Sequence, residues 1–139
     1  MSHAEFEAKV AAHEFLEHAK VFNHDYGTSK EYVEQQREKG RHVFLVIDTQ
    51  GAMHLKKKNF EAVYIFLSPP SLVELRERLI NRKTDSEESI EQRLSRAKEE
   101  MAMAVHYDYQ IVNKNLHVAY EVLRSIVIAE EHRTSHLKN

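Results

Sequence analysis

The chain has 139 residues, 42% of them hydrophobic and 30% charged, enough for one domain around a single core. Its 20 basic and 22 acidic residues leave a net charge of −2, which argues against nucleic acid or an anionic membrane as partner, because such binders carry a basic excess. Without cysteine there are neither disulfides nor thiolate metal ligands, as suits a reducing compartment.

The first residues, MSHAEFEAKV, show neither the charged start nor the apolar run of a signal peptide, and no stretch is long enough to span a bilayer. A soluble, cytoplasmic protein is the expectation. Ser2 and Glu5 have the capping-box spacing, a hydroxyl followed three residues later by Glu, and predict a helix start. In "EHAKVFNHDYGTSK" (Glu17–Lys30), Val21 and Phe22 suggest a short half-buried strand, and the polar Glu17, Tyr26 and Thr28 stand out. Thr28 and Glu31 repeat the capping spacing. "VFLVI" (Val43–Ile47) is a near-continuous apolar run, predicted as a strand buried on both faces in a parallel sheet covered by helices. Asp48 follows at the end of that strand, the edge where open α/β sheets bind ligands. It orients a ligand or a metal-bound water, or it caps a helix starting near Gln50. Lys56, Lys57 and Lys58 read as a solvated last turn that suits the helix dipole.

"VYIFL" (Val63–Leu67) predicts a second buried strand, ended by Pro69-Pro70, with Ser71 and Glu74 opening the next helix. Arg78 and Arg82 lie four apart on one face of that helix. A charged turn, "NRKTDSEES", follows, with Thr84 and Glu87 as a further capping pair, then Arg93 and Arg96 on the next helix. Such a helix-loop-helix can close guanidinium groups over a polyanion, since the planar fork matches phosphate oxygens. The competing reading is a solvated face, with Arg favouring a helix C-terminus and Glu77, Glu87, Glu88 and Glu91 within pairing reach. Ile90, Leu94, Ala97, Met101 and Ala104 form one helix stripe, and Leu116, Ala119, Leu123 and Ile126 another. Between them "YQIVN" (Tyr109–Asn113) reads as a third strand. His132 and His136 would share a helical face, but two imidazoles lacking a third ligand make no zinc site, and no metal-ligating set is expected. Strands alternating with helices across short joints say α/β.

Taken together, "FLEHAKVF…YGTS", "VFLVIDTQGA", "IFLSPPSLVELRERL", "NRKTDSEESIEQRLSRAKEEM" and "YDYQIVN" resemble guanylate kinase in order and spacing, over nearly all of the chain. Guanylate kinases are P-loop nucleoside monophosphate kinases that transfer the γ-phosphoryl group of ATP to GMP with magnesium. The resemblance implies a parallel sheet flanked by helices. Residues 1–30 would be a remnant of the GMP-binding domain, 31–81 and 96–139 the core, and 82–95 a helical lid, all in one structural unit. It implies that Glu17 accepts from the guanine N1–H and exocyclic amine, for which a carboxylate supplies two acceptors. Thr28 would bond the guanine from the other side, Tyr26 would reach the GMP phosphate, and Asp48 would lie near the GMP and magnesium. Arg78, Arg82 and Arg93 match the catalytic arginines that gather on the transferring phosphoryl group. Arg82 and Asn113 fall on the ATP side. The implied ligands are GMP, ATP and Mg2+.

The chain also departs from the family pattern. A common "GNYYG" turn reads "NHDYG" here (Asn23–Gly27), and Asp25 is expected to point to solvent. Val46 stands where an acid is usual. The 139 residues, with only three glycines, hold no G-x-x-x-x-G-K-[ST] loop to cradle ATP phosphates. The early arginines and a further tyrosine of the GMP-phosphate site are missing too. The expectation is a guanylate kinase chain short of its N-terminal segment, with little or no phosphoryl transfer by itself, because that chemistry consists mainly of positioning. The absent central strand would leave apolar sheet edges exposed, through which a homodimer is expected. Two alternatives stay open: a noncatalytic module that binds GMP or a protein partner, and a structural fragment without a ligand.

Overall fold

A computed structural model describes residues 1–21 and 24–134, and of Glu17, Ala19 and Val21 the backbone. Phe22 and His136 lie outside the described residues. The chain divides into two compact units, Met1–Ala62 and the remainder from Val63.

The first unit begins with α1 (His3–Ala11), β1 (Phe15–Val21) and β2 (His24–Ser29). The expected capping box opens α1: the Ser2 hydroxyl accepts from the Glu5 amide at 3.1 Å, and the Glu5 carboxylate accepts from the Ser2 amide at 3.4 Å. β1 and β2 pair antiparallel, with Glu17 opposite Thr28, His18 opposite Gly27, Ala19 opposite Tyr26, Lys20 opposite Asp25 and Val21 opposite His24. Successive strand residues point to opposite faces, and α1 covers one of them. Phe6, 8% exposed, meets the Phe15 ring at 4.9 Å and the His18 ring at 6.4 Å. Gly27 is required by this packing, because a Cβ there would lie 2.8 Å from the Phe15 ring.

α2 (Lys30–Glu38) starts one residue later than the Thr28 spacing predicts. Ser29 is its cap, the hydroxyl accepting from the Tyr32 amide at 3.3 Å, and Thr28 belongs to β2. Residues 43–47 are not a strand. They carry no ladder among the described residues and alternate between half-buried and exposed, with Val46 fully exposed. An apolar run becomes a strand only where a neighbouring backbone supplies hydrogen-bond partners. α3 (Thr49–Lys57) follows, burying Ala52 and Leu55. His54 on α3 brings its ring to 6.2 Å from His18.

The second unit contains β3 (Ile65–Ser68), α4 (Leu72–Arg82), α5 (Glu87–Ala102), a 3-10 turn (Met103–His106), β4 (Tyr109–Val112) and α6 (Leu116–Glu131). β3 and β4 run parallel, from Ile65 opposite Tyr109 to Ser68 opposite Val112. α6 packs Ala119 and Ile126 on Ile111, joined by Ile65, Tyr109 and Leu123. Leu116, expected on that inner stripe, is instead exposed, since it is the first residue after the cap Asn115, whose side chain accepts from the Val118 amide. Toward the other end of α6, buried Glu130 accepts from the Tyr109 hydroxyl at 2.9 Å and from Arg133 at 2.6 Å. Those two donors compensate a carboxylate that burial would otherwise disfavour.

α4 and α5 pack through Leu75, Leu79, Ile90 and Leu94. Ser71 caps α4 as expected, accepting from the Glu74 amide at 3.1 Å. α4 closes on Lys83 in the left-handed conformation (φ 55°). α5 is capped by Ser86, which accepts from the Ser89 amide at 3.1 Å, and not by Thr84 as the spacing suggested. Tyr64, just before β3, is buried; its amide donates to Asp108 and its carbonyl accepts from the Asp108 amide, both at 2.8 Å. Burial, and secondarily the Asp108 charge, pushes the Tyr64 phenol above its ordinary 10.0.

Candidate active site

In the first unit, the alternation of β2 puts His24, Tyr26 and Thr28 on one face of the hairpin and Asp25 and Gly27 on the other. Glu17 stands opposite Thr28 in the ladder. Tyr26 is 55% exposed and meets the His24 ring edge-on at 6.5 Å, while Thr28 is half-buried. Asp25 does not point to solvent. It lies on the face covered by α1, and His3 Nδ1 contacts its carboxylate at 2.7 Å. This removes a negative charge from the face that bears Tyr26. His3, 22 residues upstream, was not singled out from sequence, and no local spacing announces the contact.

Asp48 caps α3, its Oδ1 accepting from the Gly51 amide at 3.0 Å. The capping reading is therefore observed, with the helix starting at Thr49.

In the second unit, Arg78 Nη1 donates to the Asn113 backbone carbonyl at 3.2 Å, so two of the predicted site residues meet. Arg82, one turn on, is exposed and makes no hydrogen bond or ion pair among the described residues. Arg93 Nη2 reaches Asp85 at 3.6 Å, and the other carboxylate oxygen of Asp85 is buried without a hydrogen-bond partner. Asp85 was missed from sequence; its signal is its place directly before Ser86, the cap of α5. Of the acidic residues suspected of neutralising Arg78 and Arg82, Glu91 pairs with Arg76 instead. Arg96 is taken by Glu100 at 3.0 Å. Among the described residues no group of three or more His, Asp or Glu side chains could hold a metal ion, and no helix is long and apolar enough to cross a membrane.

An α/β unit with parallel strands, arginine-bearing helices and a separate polar-faced hairpin is the class of protein to which these features point. The family model described as guanylate kinase matches residues 1–130. The guanylate kinase of Protochlamydia amoebophila is 57% identical over 135 residues, covering 97% of this chain and 68% of that protein. That of Streptococcus thermophilus is 47% identical over 132 residues, covering 95% and 63%, and that of Clostridium tetani 42% over 139 residues, covering 100% and 67%. The crystal structure of guanylate kinase from Anaplasma phagocytophilum superposes with a TM-score of 0.79 at 32% identity, over 96% of this chain and 65% of that one. The chain belongs to the guanylate kinase family. It spans about two thirds of the length of the relatives it matches.

Proposed function

We propose that this chain carries the guanine-recognising and phosphoryl-stabilising parts of an ATP-dependent GMP kinase, an enzyme of purine nucleotide metabolism in the cytoplasm. The observation that best supports this is the ladder register, which pairs the backbone of Glu17 with that of Thr28 in the hairpin that also carries Tyr26. In this reading Glu17 accepts from two guanine N–H groups, an edge that adenine does not offer. Thr28 bonds the base from the facing strand, the Tyr26 hydroxyl bonds the GMP phosphate, and Asp48 stands near the nucleotide. Arg78, Arg82 and Arg93 stabilise charge on the transferring phosphoryl group, where positioned guanidinium groups act most strongly. Arg82 and Asn113 contact ATP. Residues 82–95 are the closing lid.

Magnesium, bound with ATP, neutralises phosphate charge during transfer. The donor set fits an ion held chiefly by nucleotide oxygens and water, since Mg2+ commonly takes only one or two protein carboxylates and Asp48 supplies one. A homodimer through an exposed sheet edge, with Leu67 of β3 exposed, is the assembly we propose.

Thermal unfolding in the presence of GMP or AMP tests the recognition reading. GMP is expected to raise the midpoint and AMP not, with the difference abolished by Glu17→Ala. Equal shifts with both nucleotides, or an undiminished GMP preference in the variant, would overturn it.

A further inference from the structure

We infer that His24 is an additional phosphate-binding group, a pH-dependent cation that holds the phosphate of a nucleoside monophosphate against Tyr26. The inference rests on the reading of Tyr26 given above. His24 and Tyr26 are alternate residues of β2, so they share a face, and their rings meet edge-on at 6.5 Å. Both side chains are exposed. Phe6 and His54 pack against His18, and His3 against Asp25, so α1 and α3 lie on the opposite face.

A phenolic hydroxyl alone compensates a dianionic phosphate poorly, because it brings no charge. The other ionisable groups around His24 do not supply one. Asp25, its neighbour in sequence, is on the far face and already paired with His3. Lys20 stands opposite Asp25, on that same far face. Val21, opposite His24, does not titrate. Glu17 lies at the other end of the ladder opposite Thr28, the end from which α2 departs with Lys30 and Glu31. Among the described hairpin residues, His24 is therefore the basic group on the Tyr26 face. Imidazole gains its charge within the physiological pH range, so the added attraction is switched on as pH falls.

Calorimetric titration of the chain with GMP and with guanosine, at pH 6 and pH 8, tests this. His24→Asn carries the same ligand ionisation as wild type and isolates the imidazole. GMP affinity is expected to gain about fivefold more on going to pH 6 in wild type than in His24→Asn, the scale of one partly exposed charge pair. Guanosine should show no such difference, and His24→Arg should hold the tighter GMP affinity at pH 8. If Tyr26→Phe weakens GMP while His24→Asn leaves the pH ratio unchanged, the His24 inference falls alone. If the chain binds no GMP, or Tyr26→Phe leaves its affinity untouched, the reading of the phosphate site falls and takes the inference with it.

Discussion

Arg78 and Asn113 are joined across 35 residues by a 3.2 Å hydrogen bond from the guanidinium to the backbone carbonyl, tying α4 to the end of β4. A guanidinium has five donors in a rigid fork, so one can orient the group while others remain for phosphate oxygens. Arg78→Ala is expected to change stability by less than about 1 kcal/mol, the scale of one exposed hydrogen bond. The rise in Tm produced by magnesium ATP should shrink in the same variant. Arg78→Lys should not restore it, because a point charge lacks the fork. An undiminished ATP shift in Arg78→Ala would remove this residue from the phosphoryl site.

Gly27 is held by space rather than by backbone conformation, since a Cβ would meet the Phe15 ring at 2.8 Å and that ring is itself packed on Phe6. Gly27→Ala is expected to destabilise the chain by about 1–3 kcal/mol, as overpacking does. Combining it with Phe15→Leu should recover part of the loss, a coupling that a double-mutant cycle in urea would measure. Strictly additive effects would refute the steric account.

Asp48 serves two readings that a pair of substitutions separates. Asp48→Ala removes the α3 cap and should cost about 1 kcal/mol. Asp48→Asn keeps an equivalent capping oxygen, so stability should stay within a few tenths of that of wild type. If the carboxylate also serves the nucleotide and its magnesium, Asp48→Asn should still weaken magnesium-dependent nucleotide binding. Unchanged binding would leave Asp48 as a cap alone.

Tyr64 sets an alkaline limit. Its phenol is raised above the ordinary 10.0, first by burial and then by Asp108, so the folded protein keeps the proton that the unfolded chain releases. The associated stability is fully present below about pH 10 and is lost as pH rises through the higher folded value. Urea midpoints measured from pH 9 upward should fall in wild type and flatten in Tyr64→Phe.

The parts of this fold legible in sequence are those where local chemistry and tertiary partners agree. Ile65–Ser68 and Tyr109–Val112 read as strands because each apolar run has the other to pair with. Val43–Ile47 is likewise an apolar run but has no ladder among the described residues, and composition cannot report the presence of a partner. Capping spacing found four helix starts but misassigned two, since "TS" and "TDS" place competing hydroxyls one or two residues apart and backbone geometry decides between them. The family was legible only as an ordered set of motifs, and the candidate site follows from that resemblance alone. The opposition of Glu17 and Thr28 depends on ladder register, and the His3–Asp25 contact on a helix folding back over the hairpin; neither has a local signature.

The one-residue offset at the start of α2 has a consequence for how this surface can change over time. Ser29 holds the helix end, and Thr28 keeps its place in the strand. If Thr28 contacts the base as proposed, a substitution there can retune what the hairpin recognises without unwinding α2. Adjacent residues would then divide recognition from foldedness, and selection could act on one while the other stays constant.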